Sequence, residues 1–264
     1  MLLRKILLYA LLNIVFTSCF TDQLCAQSYT IKPILSPNDE LIPGTGLKRI
    51  ILSLSMNNRG DIVFFVILPD NSRGIFLHSN GITQLLVKTV FAQILNEDEF
   101  VTISLPDIND NGEIVFFGSS SGKSGIFKVL DNNIIPVITE GDAIHSLETT
   151  FVNLLLPTAP SINKRGEIAF ATRLSDGKRG LFLFSQGIIN PVLIEGDQFA
   201  IFDKTVTLIT ASLPVINDKG EIAFIGGFST GIPNSNSRYT TFFSFCRELY
   251  KSCTTSYIKY AKIL

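Results

Sequence analysis

Gly118-Ser-Ser-Ser-Gly-Lys-Ser-Gly125 has the residue types of a phosphate-gripping loop. Such a loop binds through backbone N–H groups and the N-terminus of the helix that follows it. It also needs four residues between its first Gly and the Gly-Lys pair. Only three separate Gly118 from Gly122, and the downstream Ile126-Phe-Lys-Val-Leu130 reads as a strand. The run is expected to be a hairpin loop, with no nucleotide bound there.

Asp107-Ile-Asn-Asp-Asn-Gly112 spaces its oxygens like the start of a calcium loop. The twelfth position, where a bidentate acid belongs, is Gly118, and equivalent stretches elsewhere put Arg59, Arg165 or Lys219 where Asn111 stands. These residues read instead as a turn, with Asn109 bonding backbone and Gly112 at positive φ. Glu140-Gly-Asp142 and Glu195-Gly-Asp197 form a second acidic pattern, with Asp39 and Glu40 in the corresponding upstream place. Acidic loops gathered on one rim suit a cation or a basic or sugar ligand, so Asp39, Glu140, Asp142, Glu195 and Asp197 are the ligand-binding candidates. Each Asp also suits a turn cap.

His78 and His145 are the two His, and neither recurs, so a Ser-His-Asp triad has no support from its surroundings. No Cys/His cluster has zinc spacing. Paired carboxylates could hydrolyse a glycoside, but here they lie in recurring turns, where structural roles suffice. The expectation is no catalytic residue, no metal and no cofactor.

The elements that must carry these residues recur. Asn57-Asn-Arg-Gly-Asp-Ile-Val-Phe64 returns as Asn109 to Phe116, Asn163 to Phe170 and Asn217 to Phe224, at steps of 52, 54 and 54 residues. Asn57, Gly60, Phe64, Asn109, Gly112, Phe116, Asn163, Gly166, Phe170, Asn217, Gly220 and Phe224 are the structural signature. Gly-Ile-Phe or Gly-Leu-Phe follows at Gly74, Gly125 and Gly180, and Pro136-Val and Pro191-Val open the acidic stretches. Each unit reads as four short strands, for which Ile103–Ile108, Glu113–Gly118, Gly125–Leu130 and Ile134–Thr139 serve as the example. Four antiparallel strands in about 50 residues is the pattern of a β-propeller blade, in which each sheet covers its neighbour.

The fold class is therefore all-β, a propeller of about four blades. Two closures stand open. In one, the strand near Pro33 completes the last blade, with Thr241–Phe245 as that blade's third strand after a longer loop. In the other, the chain is a truncated or frame-shifted piece of a longer repeat protein and the ring is incomplete.

Composition bounds the rest. The chain has 264 residues, 46% hydrophobic and 17% charged, with 21 Phe and no Trp. That suffices for a large core, and a net charge of -1 leaves no footprint for nucleic acid. The charge is uneven: from Ser28 to Ser237 there are 15 basic against 21 acidic residues, whereas Arg238 to Leu264 carries five against one. Residues 1–26 read as a signal peptide: Arg4 and Lys5, then the apolar Ile6–Phe16, with cleavage after Ala26. Phe16-Thr-Ser-Cys19 falls short of a lipoprotein box, so simple secretion is favoured over a lipid on Cys19. Cys19 and Cys25 sit in this leader and Cys246 and Cys253 in the tail, leaving the body without Cys. Residues 30–245 form the repeat domain and 246–264 an atypical basic tail.

Asn-x-x-Gly-x-x-x-Phe, then Gly-Ile-Phe and Gly-Asp, resembles a bacterial group of exported choice-of-anchor tandem-repeat proteins named for an NxxGxxAF repeat. Asn163 to Phe170 and Asn217 to Phe224 fit it directly, and the first two copies carry Val63 and Val115 in place of Ala. The resemblance covers residues 30 to 227 and implies a surface or secreted propeller. The combined expectation is a monomeric, non-enzymatic binding or scaffold module, secreted, periplasmic or at the cell surface. Its partner would be an unknown protein or glycan, with no nucleic acid and no membrane span. An extracellular hydrolase or lyase on the same scaffold is the alternative.

Overall fold

A computed structural model of the chain describes residues 33–34, 49–90, 99–120, 123–131, 133–144, 147, 149–152, 159–201, 204–229 and 239–245. The expected signal peptide at residues 1–26, Asp39, Glu40, His145, all four Cys and residues 246–264 lie outside the described residues. The chain divides into two compact units, 1–36 and 37–264. Pro33 and Ile34 are the described residues of the first, and neither lies in a strand. Every described element of the second is a β-strand.

The strands form four antiparallel sheets arranged as a four-bladed β-propeller. The first blade is β1 (Arg49–Met56), β2 (Ile62–Ile67), β3 (Arg73–Ser79) and β4 (Ile82–Lys88), paired in that order. The second has β5 (Phe100–Ile103) and β6 (Asp107–Ile108) on one side of β7 (Ile114–Ser120), then β8 (Lys123–Leu130) and β9 (Asn133–Thr139). The third is β10 (Ser161–Ile162), β11 (Ile168–Arg173), β12 (Arg179–Ser185) and β13 (Ile188–Ile194). The fourth is β14 (Gln198–Ile201), β15 (Lys204–Ile216), β16 (Ile222–Ser229) and β17 (Tyr239–Phe245).

One difference from the sequence reading has a physical cause, and one expectation for the fourth blade holds. The expected strand Ile103–Ile108 is split into β5 and β6 around Pro106, which has no N–H to give the ladder. In the fourth blade β17 runs along β16 from Phe228↔Tyr239 to Ile222↔Phe245, so Thr241–Phe245 does serve as its third strand. The remaining partner there is β14, which folds back on β15. The segment expected to close this blade from the N-terminus lies outside the described residues, apart from Pro33 and Ile34.

Gly118–Gly125 belongs to the β7–β8 hairpin, with Ser120 opposite Lys123 and Gly118 opposite Gly125. Gly118 to Gly122 also spells Gly-x-Ser-x-Gly, the nucleophile elbow. That motif needs a strand-to-helix turn with an exposed Ser, whereas Ser120 is buried at the end of β7. Gly125 has a packing reason: a Cβ there would stand 2.4 Å from the Ile138 carbonyl oxygen.

The outermost strands β4, β9 and β13 each pair past a bulge opposite Phe76, Phe127 and Phe182. Pro136 and Pro191 sit there, where a missing N–H costs least and an edge is spoiled for further pairing. Alternation along each strand sends side chains to both faces. Ile114 and Phe116 join Val63, Phe65 and Ile75 of the first blade, and Val115 and Ile126 join Phe170 and Phe182 of the third. Ala169 and Leu181 join Ile222 and Phe224 of the fourth. The core is thus three apolar layers between successive sheets. Phe100 and Phe151 each sit edge-on to two rings of their own blade.

Candidate functional site

Polar residues organise the molecule in two places: at the Asn-x-x-Gly turns and after the outermost strands. At each turn the Asn closes its own turn in the same way, and in the first three repeats it also reaches the next repeat. Asn109 Oδ1 accepts the N–H groups of Asn111 and Glu113, each at 3.0 Å. Its Nδ2 donates to Glu113 Oε2 at 2.7 Å and to the Asn163 carbonyl of the next repeat at 2.9 Å. Asn57 likewise reaches Asp61 and the Asn109 carbonyl, and Asn163 reaches Glu167 and the Asn217 carbonyl. The result is a ladder of side-chain-to-backbone bonds joining repeat to repeat. Gly60, Gly112, Gly166 and Gly220 hold φ of 83°, 83°, 75° and 83°, which closes the turn tightly enough for the Asn to span it.

The acid four residues after each Asn was not assigned a role from sequence, although its recurrence as Asp61, Glu113, Glu167 and Glu221 was visible. It receives the Asn amide and, in two repeats, a neighbouring Arg: Arg59 for Asp61 and Arg165 for Glu167. A second missed residue is Asp107. Its carboxylate accepts from the hydroxyls of Ser55 and Ser161 and from the Ile162 N–H, so it ties the innermost strands of three repeats together. Among the described residues no three His, Cys, Asp or Glu side chains converge to hold a metal.

Two of these carboxylates, Asp61 and Glu113, make the fold acid-sensitive. Hydrogen bonds from Ser79 and Asn57, with the nearby Arg59 charge, hold Asp61 below its ordinary value against the cost of burial. For Glu113 burial pushes the pKa up, and Lys128 and Asn109 more than offset it, leaving it lowered. A lowered folded-state pKa stabilises the fold above the unfolded value and stops doing so as pH falls through the folded value. Stability should therefore be flat above pH 4.5, the ordinary Glu value, and fall below it. Urea titrations at successive pH values would read this, and Asp61→Asn should make the acid limb shallower.

The ligand-binding candidates Glu140, Asp142, Glu195 and Asp197 follow the equivalent strands β9 and β13. Asp142 Oδ2 accepts the Thr139 N–H at 2.7 Å and its Oδ1 accepts the Thr139 hydroxyl at 3.2 Å, and Asp197 Oδ2 accepts the Ile194 N–H at 2.8 Å. Each Asp thus closes its own turn, and Glu195 Oε2 accepts the Arg179 N–H. A carboxylate has about four acceptor sites, so capping leaves Asp142 able to accept more. Asp142 also lines a groove of about 550 Å³ between the second and third blades, whose walls include Val137, Ile144, Phe184, Ile188 and Ile189. A groove whose wall combines apolar side chains, one acid and exposed polar backbone can take a ligand that offers an apolar face and a hydroxyl or ammonium donor. His78 lies away from these acids, its Nδ1 2.8 Å from Thr83 Oγ1.

The profile of DUF7453, a family of unknown function, matches residues 36–245, and the chain belongs to that family. No curated protein matches the chain.

Proposed function

We propose that this DUF7453 member is a secreted, non-enzymatic binding module at the bacterial envelope, and that it takes its ligand in the groove beside Asp142. The observation that carries this reading is the pairing of a groove walled by apolar side chains with a carboxylate that, beyond its two bonds from Thr139, has acceptor capacity left. The recurring Asn and acidic side chains are engaged in turns and in junctions between repeats, where they build the scaffold. The leader at residues 1–26 and the resemblance to exported choice-of-anchor repeat proteins support placement outside the cytoplasm. An envelope oligosaccharide suits the groove, because a pyranose offers one apolar face and hydroxyl donors at its edge.

Purified protein titrated with envelope oligosaccharides should show saturable binding. Asp142→Asn combined with Ile188→Arg should weaken it roughly tenfold. Binding unchanged by those substitutions would remove the groove from the account. Cleavage of the bound sugar would replace the reading with that of a hydrolase or lyase.

A further inference from the structure

The three junctions between successive repeats share one construction, and among the described residues its innermost positions are exposed at both ends of the series, although Phe64 and Phe76 farther out on the leading side of the first repeat are buried. On the leading side, each repeat from the second onward presents an Ile immediately before its Asn-x-x-Gly turn: Ile108, Ile162 and Ile216, all about 5% exposed. The residue in that place in the first repeat is Met56, which is 62% exposed. On the trailing side, Val63, Val115 and Ala169 are fully buried by the next blade. Ala223, in the same place in the fourth repeat, is exposed. Val215 beside it is 61% exposed, where its counterpart Ser161 is buried.

The polar ladder stops at the same two places. Among the described residues Asn217 Nδ2 donates to Glu221 and to no carbonyl of another repeat. The Asn57 carbonyl accepts from Gly60 of its own turn and, among the described residues, from no Asn of another repeat. The second residue after the Asn of each turn follows the same pattern. Asn111 Nδ2 and Arg165 Nη1 donate to the carbonyls of Lys164 and Asp218 in the next repeat. Lys219 occupies the same place in the fourth repeat and is exposed.

We infer that the trailing face of the fourth repeat binds the leading face of the first repeat of a second copy of this chain, head to tail. Met56 of one copy would cover Ala223 of the other, Asn217 Nδ2 would donate to the Asn57 carbonyl, and Lys219 to that of Asn58. The occupant follows from continuity: the donor face matches the three built junctions, and the one surface known to fit them is another repeat of the same kind. Closure within one chain through these residues would bury both Met56 and Val215, and in this chain both are exposed. The sequence by itself suggests a monomer. A heterologous junction of this type adds copies until a rotation closes the assembly.

Sedimentation velocity of the full chain over a wide concentration range tests this. Wild type should associate by mass action. Met56→Asp and Ala223→Asp should each weaken self-association roughly a hundredfold, because each would bury a lone charge in an apolar contact. Both positions are exposed, and circular dichroism would check that the variants fold. Mixing the two variants should restore a dimer and nothing larger, since together they hold one unaltered junction. A wild type monomeric throughout, variants that associate like wild type, or a mixture that stays monomeric would each overturn the inference.

Discussion

Asn163→Leu should lower the unfolding free energy by about 3 kcal/mol in urea titrations. Removing it orphans two N–H groups, the Asn217 carbonyl and one partner of Glu167, at about 1 kcal/mol for each buried group left unsatisfied and less for those that find another donor. The side chain is 3% exposed, so water cannot replace the bonds. Asn217→Leu makes the comparison. It has the same bonds within its own turn but is exposed and, among the described residues, makes no bond across to another repeat. Its cost should stay near 1 kcal/mol, the ordinary price of an exposed cap. Equal costs at the two positions would mean that the ladder between repeats contributes nothing beyond the turn.

Phe170→Ala should cost about 4 kcal/mol, the range for emptying a buried aromatic site. Phe170 stacks on Phe182 at 5.6 Å, and Phe151 stands edge-on to both at 5.6 and 5.3 Å. All three rings are fully buried. They sit between the second and third blades, so the cavity would lie in a layer shared by two sheets and collapse would have to move both. Chemical denaturation should show a lower midpoint with an unchanged slope. A cost below about 1 kcal/mol would mean that the layer repacks and is looser than the ring geometry implies.

Much of this architecture was legible in the chain itself. Four copies of Asn-x-x-Gly at a near-constant step marked four turns, and alternating Val, Ile and Phe between Gly- and Asp-rich pieces marked the strands they join. The Gly of Gly-Ile-Phe was legible as a repeated residue. Its reason, the close approach of the neighbouring strand's carbonyl at Gly125, was not, because that distance exists only once β8 and β9 are paired. Phe151 shows the same divide. It lies in a connecting segment outside the motif, although Phe100-Val and Phe151-Val recur 51 residues apart. Its partners Phe170 and Phe182 come from strands far along the chain.

The sequence by itself determined the fold class, the strand-and-turn punctuation and the residues that recur, because periodicity and turn chemistry are local properties. Only the tertiary structure decided what the recurring polar residues bond to. The Asn amide reaches a carbonyl one whole repeat away, and Asp107 gathers serines from two other repeats; neither link leaves a mark on local spacing. Tertiary structure also decided which ends of the series are covered. Burial of Met56 or Ala223 depends on whether another blade stands against it, and the shared Asn-x-x-Gly-x-x-x-Phe motif, present in the middle and at the ends of the array alike, does not encode that difference.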